Sequence, residues 1–482
     1  MPADRTAIGS TAAVAATPQA IELALEHHRA GRLEVAQALY RSIAEADPAH
    51  AGALHGLGLI ALQREDYAGA LDLIEDALRL DPSNAIFASN LATAYQRLGS
   101  PERAREYSEC ALRLDPTLAA AHNNLGHALG SLGDNAGAQA CYRSALELEP
   151  SSHQARLNLA LSTLMRGDYA AGLPLYEARL DVGSGGGARP LLAKLERVAR
   201  WHGEALAGKR ILVWTEQGLG DTIMMMRYLP LLKEKGASRV AVCCEPELVR
   251  LVRHVPCVDE VFSSLDSADW PSRFDLHSPM MSVPLGFGTA SDTIPRRTPY
   301  LNVPEPLVRT WAETLSALPS PRIGLVWAGG KQSEADADRS IALASFAPLL
   351  ARRRMSFVAL QKGPGASQLV RGRHRIAHWM DACEDLLDTA ALICGLDLVI
   401  SVDTAVAHLA GALGKPLWLL NRRSSEWRWM LERSDSPWYP TVRIFRQRAG
   451  GWAPVIDEVG AALDVRFPRP TLAGRVRRFF GG

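Results

Sequence analysis

Small and apolar positions return every 34 residues through the first third of the chain. Leu57, Leu91, Leu125 and Leu159 share one slot, and the slot after it is always small: Gly58, Ala92, Gly126, Ala160. A second small slot holds Ala36, Ala70, Ala104 and Ala138, and a third holds Ala77, Ala111 and Ala145. Glycines fall at Gly31, Gly99, Gly133 and Gly167, and an acidic residue before proline closes each period: Asp47-Pro48, Asp81-Pro82, Asp115-Pro116, Glu149-Pro150. Small residues let paired helices approach, leucine fills the groove between them, and glycine makes the tight inter-helix turn. Proline cannot continue a helix, so it ends one and sets up the next. The pattern predicts four helix–turn–helix units over about residues 17–152 and a decayed fifth to about 180.

The second half has no such period. Residues 210–214 form a short apolar run that reads as a buried parallel strand. The loop Thr215-Glu216-Gln217-Gly218-Leu219-Gly220-Asp221 follows, then a helix from about Thr222 through Leu232. Strand, glycine-rich turn and helix present backbone amides to an anion or a sugar. No Gly-Lys-Ser/Thr follows, so this is not a Walker loop. Further strands are expected at 240–243, 260–263 and 274–277.

The pattern then restarts. Residues 322–327 form a strand ending in Ala328-Gly329-Gly330, and 357–361 form another, followed by Lys362-Gly363. A third, 396–402, runs into Asp403-Thr404 and a helix rich in small residues, and 416–420 is a fourth. Two successive α/β halves imply two doubly wound domains across a cleft, with ligands at the carboxyl ends of the strands. The Gly218, Lys362 and Asp403 segments all fall there.

Composition narrows the classes. At 482 residues the chain is too long for one core. A net charge of +1 leaves no footprint for nucleic acid. Seven scattered cysteines without metal spacing fit free thiols in a reducing compartment. Residues 1–16 lack a basic start followed by a leucine-rich core, so no signal peptide is expected. No stretch reaches the length of a membrane span, and the cytoplasm is the expected compartment. The expected order is a disordered 1–16, a solenoid over 17–182, a glycine-rich linker over 183–208, α/β domains over 209–305 and 320–450, and a helical tail over 451–482. The tail carries Arg475, Arg477, Arg478, Phe479 and Phe480, which read as a membrane-surface patch or as a frayed terminal helix.

The repeat residues resemble the tetratricopeptide (TPR) family, whose units have this length. Asn90, Asn124 and Asn158 fall 34 apart, with Gly56 breaking the series. In TPR proteins this slot faces the inner surface. The three asparagines resemble the ladder of TPR-containing O-linked N-acetylglucosamine transferases, and carboxamides can both donate to and accept from a peptide backbone. Tolerated polar surface is the alternative.

Glu216-Gln217-Gly218-Leu219-Gly220-Asp221, taken with Ser401-Val402-Asp403-Thr404-Ala405-Val406-Ala407-His408, resembles the heptosyltransferase-related GT-B glycosyltransferases. More closely, the chain is similar to bacterial proteins that fuse TPR repeats to this module. The resemblance implies an inverting, metal-independent transferase that needs a base for the acceptor hydroxyl and cations or dipoles for the leaving diphosphate. It puts Asp221 at the base; an N-cap role for Asp221 stands beside that, and the two are compatible. Gly218 and Gly220 would approach the donor. Thr404 and Ala405 would open a helix whose N-terminus meets the diphosphate. Asp403 would orient the loop or contact the sugar, and His408 would touch the donor or pack in the cleft. Gln361, Lys362 and Arg339 complete the donor-binding candidates, with surface roles competing for Arg339.

One segment departs from the relatives: an Asn-Pro-type turn is replaced by Gly329-Gly330-Lys331-Gln332-Ser333-Glu334, which leaves donor choice open. Asp336-Ala337-Asp338 spells the D-x-D of metal-dependent transferases and reads as chance in a polar loop. Trp427-Arg428-Trp429 and Trp438-Tyr439-Pro440 would stack a base or sugar, or else cement the packing.

The expected activity is transfer of a sugar from a nucleotide sugar to a hydroxyl of a polypeptide held by the solenoid. Bacterial surface proteins such as flagellin are acceptors by analogy alone. Transfer to a lipopolysaccharide-type glycan, or a non-catalytic scaffold, are the alternatives. No metal, other cofactor, nucleic acid or integral membrane contact is expected.

Overall fold

The computed structural model describes residues 18–182, 188–266, 269–330, 339–371, 375–448 and 451–468. It divides into two compact units at Ser162/Thr163.

The first unit is a run of antiparallel helices: α1 (Pro18–Arg29), α2 (Leu33–Ala46), α3 (Ala51–Gln63), α4 (Tyr67–Leu80), α5 (Ala85–Arg97), α6 (Pro101–Leu114), α7 (Ala119–Leu132), α8 (Asn135–Leu148) and the start of α9 (His153–Met165). The small slots do what small residues are for. Ala36, Ala70, Ala104 and Ala138 are at most 1% exposed, and a Cβ on Gly126 would stand 2.6 Å from the Tyr142 ring. The turn glycines adopt left-handed backbone, with φ between +68° and +93°. At the same slot of the second repeat stands Glu65, at φ +64°, a conformation strained for a residue with a Cβ.

In the second unit the last repeat's second helix, α10 (Tyr169–Tyr176), packs Tyr169 and Tyr176 edge-on against Trp427. A sequence periodicity belonging to the solenoid thus ends in a helix built into the α/β body.

Two parallel sheets make that body. The first has five strands in the order β1-β5-β2-β3-β4: β1 (Ala199–Arg200), β2 (Arg210–Trp214), β3 (Arg239–Cys243), β4 (Glu260–Phe262) and β5 (Leu276–Pro279). The second has six in the order β11-β10-β9-β6-β7-β8: β6 (Arg322–Val326), β7 (Ser356–Ala359), β8 (Ala377–His378), β9 (Leu398–Val402), β10 (Leu417–Asn421) and β11 (Val442–Arg446). Apolar runs such as Ile211-Leu212-Val213-Trp214 are buried along their length, as strands covered on both faces must be.

Three strands were not anticipated. β1 and β8 have only two residues each. β11 lies on the edge and exposes Arg443, which breaks the apolar run. The helix expected from Thr222 to Leu232 starts earlier, at Leu219, and is interrupted: Leu219–Met225, a 3-10 turn, then Leu229–Glu234. Pro230 has no N–H to carry the ladder across. Among the described residues no helix is long and apolar enough to cross a membrane. The basic tail residues 475–480 and Asp336 and Asp338 lie outside the described residues.

Candidate functional site

The carboxyl end of β2 meets the carboxyl end of β9 through their following helices. Gly218 is the N-cap of Leu219–Met225, and Asp221 is its third residue rather than the cap itself. Asp221 reaches back, its Oδ2 accepting the Gly218 N–H at 3.2 Å. The capping role expected of Asp221 is therefore real but made from inside the first turn. Gly220 faces the opposing helix, where a Cβ would lie 2.6 Å from His408 Cδ2. Glycine is what lets Leu219–Met225 lie against Ala405–Ala412.

On the other side Thr404 is the N-cap of Ala405–Ala412, with extended backbone and no side-chain hydrogen bond to the helix. Its Oγ1 lies 3.1 Å from Ser401 Oγ instead. The helix therefore presents first-turn N–H groups that the Thr404 side chain does not cover. His408 is buried beneath it. Its Nδ1 is 2.9 Å from the Tyr439 hydroxyl, and its Nε2 is 3.7 Å from Asp403 Oδ1. Burial pushes the Asp403 carboxyl up, but His408 and Arg428 outweigh it and hold it at about 2.

Arg428 joins the two halves. Its Nη2 forms an ion pair with Asp221 Oδ1, and its Nη1 lies 3.4 Å from Glu426 Oε2. Its Cζ sits 4.8 Å over the Trp427 ring, and its buried Nε has no hydrogen-bond partner among the described residues. Burial works against the Arg428 charge, and Asp221 before any other neighbour more than compensates. The loop is braced on both flanks. Trp427, Trp429, Trp438 and Tyr439 are each at most 1% exposed, so they pack rather than stack a ligand. Trp438 Nε1 donates to the Tyr169 hydroxyl at 2.9 Å, and Trp429 lies 5.0 Å from the His408 ring. Met430 holds a left-handed φ of +55° two residues after Arg428.

A second buried charge pair stands behind Gly218. Arg179 Nη2 donates to Glu216 Oε1 at 2.7 Å and to Ser282 Oγ at 2.7 Å. Burial pushes the Glu216 carboxyl up despite Arg179.

The other candidates have partners of their own. Gln361 accepts the N–H groups of Trp327 and Ala328 and donates to the carbonyls of Ala328 and Lys362. Both donors and both acceptor positions are occupied, so Gln361 clamps two strand ends and has nothing left for a donor sugar. Lys362 Nζ donates to the Cys383 carbonyl. Arg339 is half-buried, beside Ser340, whose Oγ accepts the Gly329 N–H at 3.2 Å.

In the solenoid, Asn90 Nδ2 bonds His55 Nε2 at 2.8 Å, and Asn158 Nδ2 donates to Asn123 Oδ1 at 2.9 Å. Asn124 Nδ2 reaches the Ser89 carbonyl and Thr93 Oγ1. These amide donors join successive first helices. The carboxamides are thus tied to their own scaffold on the donor side.

Sequence reasoning missed Arg428 as chemistry, reading only the aromatics that flank it. The signal was present: a cation between two tryptophans must be partnered once the tryptophans are buried.

Residues 21–85, 61–125 and 123–186 match tetratricopeptide repeats. Residues 381–452 match glycosyltransferase family 9 (heptosyltransferase), a stretch that contains Asp403, Thr404, Ala405, His408 and Arg428. Protein FlbA of Caulobacter vibrioides is 31% identical over 291 residues, covering 55% of this chain and 48% of that protein. The match thus spans about half the length of that curated relative. Among solved structures, the crystal structure of YrrB, a TPR protein with an unusual peptide-binding site, is 25% identical, with a TM-score of 0.28 over 34% of this chain and 84% of that one. Pseudomonas aeruginosa pilF is 23% identical, with a TM-score of 0.32 over 38% and 82%. The chain carries TPR repeats followed by a C-terminal glycosyltransferase family 9 domain.

Proposed function

We propose, from TPR repeats and a glycosyltransferase family 9 domain in one chain, that this protein transfers a sugar from a nucleotide-sugar donor to a hydroxyl of a polypeptide. One observation carries the reading: Asp221 from the first sheet and the open N-terminus at Thr404-Ala405 from the second come together at one junction. A carboxylate beside a helix N-terminus supplies a base for the acceptor and a positive end for the departing diphosphate. The Asp221 carboxylate takes the acceptor proton, the acceptor oxygen bonds the anomeric carbon, and the nucleoside diphosphate leaves with the electron pair of its C–O bond. Attack opposite the leaving group inverts the anomeric centre. Positive charge from the helix and from arginine serves where a metal would otherwise be needed, and a bacterial surface protein such as flagellin stands as an example of the acceptor.

A second reading has its own support. The donors of Asn90, Asn124 and Asn158 are engaged within the solenoid, which favours transfer to a lipopolysaccharide-type glycan with the repeats recruiting a partner. Transfer of labelled sugar in the presence of EDTA separates the two. The first reading expects label on Ser or Thr of a polypeptide, as the inverted anomer, with acceptor KM raised about tenfold or more in the Asn90/Asn124/Asn158→Ala triple variant. Label on a glycan alone supports the second, and loss of all transfer in EDTA contradicts metal independence.

A further inference from the structure

The Asp221–Arg428 pair creates a conflict for the reaction just proposed. Asp221 Oδ2 accepts the Gly218 N–H and Oδ1 faces the Arg428 guanidinium. Each oxygen therefore already has a partner before any hydroxyl arrives. Apart from Asp221, the polar contacts of the Arg428 guanidinium are sparse among the described residues. Its contact to Glu426 is 3.4 Å, and its buried Nε has no hydrogen-bond partner among the described residues. A guanidinium has five N–H donors in a planar fork suited to two phosphate oxygens. It lies among the groups around the N-terminus of Ala405–Ala412, with Asp403 among its electrostatic neighbours and Trp429, the next residue, against His408. The loop that carries it is packed through buried tryptophans on both sides of Arg428, and Met430 keeps a left-handed backbone there. Strain of that kind persists where the surroundings fix one conformation.

Resting on the glycosyltransferase reading, we infer that Arg428 is the cation that holds the leaving diphosphate and that it blocks Asp221 until the donor arrives. In the free protein the guanidinium neutralises the carboxylate. A bound diphosphate brings two phosphates to the same fork and takes the place of Asp221. The released carboxylate then accepts the proton of the acceptor hydroxyl, while the anomeric C–O bond breaks towards the diphosphate now paired with Arg428. One residue thereby binds the leaving group and makes the base available only when a donor is present. This is an enforced order: donor first, acceptor second. Lys362, whose Nζ is held by the Cys383 carbonyl, is not needed for it.

The inference has a signature that a merely structural ion pair lacks. If Asp221 competes with the diphosphate for Arg428, removing the Asp221 charge must strengthen diphosphate binding. Calorimetric titration of the full chain with ADP, UDP and GDP tests this, with Asp221→Asn and Arg428→Gln alongside. The expected result is that a nucleotide binding the wild type binds Asp221→Asn several-fold more tightly and Arg428→Gln about tenfold or more weakly. Should Arg428→Gln fold poorly, the sign of the Asp221→Asn change decides alone. Unchanged or weaker binding by Asp221→Asn overturns the exchange, as does full affinity in a folded Arg428→Gln. Failure of all three nucleotides to bind the wild type would fall on the donor reading itself.

Discussion

In the solenoid unit Asn124 bonds residues one repeat away, while in the α/β unit Asp221 meets Arg428, in the loop between β10 and β11 and remote in the sequence. The first kind of contact is written as a period; the second exists only after two sheets have formed and met. The units also use glycine differently. Gly126 admits the Tyr142 ring of its own repeat, whereas Gly220 admits His408 from the helix that follows β9. The same physical device builds a scaffold in one unit and the candidate site in the other.

That contrast can be broken by filling the two glycines. Gly220→Val and Gly126→Val should each destabilise by about 1–3 kcal/mol, because a Cβ at either site overlaps a buried ring. Gly220→Val should in addition lower turnover by roughly tenfold or more, through displacement of His408 and the Asp221 turn. Melting curves and initial rates check both. Equal effects of the two variants on turnover would remove the distinction.

Acid offers a second test. Burial holds the imidazoles of His55 and His277 down at about 4. As pH falls, the unfolded chain takes up these protons first, near 6.5, and the folded chain resists. Their contribution is therefore complete above about 6.5 and is lost between 6.5 and 4, amounting to at most about 3 kcal/mol for each imidazole. Asp403, held at about 2, loses its share only below its ordinary value of 3.8. The melting temperature should decline steadily from pH 7 to 4.5; a flat profile would contradict the burial of both rings.

The smallest effect sharpens the repeat. Glu65 occupies with strain a slot where the other repeats have glycine. Glu65→Gly should stabilise by about 1 kcal/mol, read as a rise of a few degrees in Tm.

The sequence made the solenoid legible because each repeat states its slots again, and Ala36, Ala70, Ala104 and Ala138 are each found buried. The apolar runs of β2, β3, β6, β9 and β10 were legible for a related reason: strands buried on both faces carry their own signature. Edge strand β11 was not, because Arg443 faces outward and interrupts the run. At the site, Gly218, Gly220, Asp221, Thr404 and His408 could be named from local motifs. Arg428 could not, since its pairing depends on Asp221 arriving from the helix that follows β2. Gln361 misled for the converse reason: a polar residue at a strand end suggests a ligand, yet its amide is fully engaged by Trp327, Ala328 and Lys362.

The most direct test of the account is nucleoside diphosphate release from ADP-, UDP-, GDP- and CMP-linked sugars (CMP itself in the last case), with Asp221→Ala in parallel. The account predicts turnover of a donor by the wild type and a loss of roughly 10²–10⁴-fold in Asp221→Ala, with the donor still bound. Wild-type turnover left intact in Asp221→Ala, or no turnover of any donor, would contradict it.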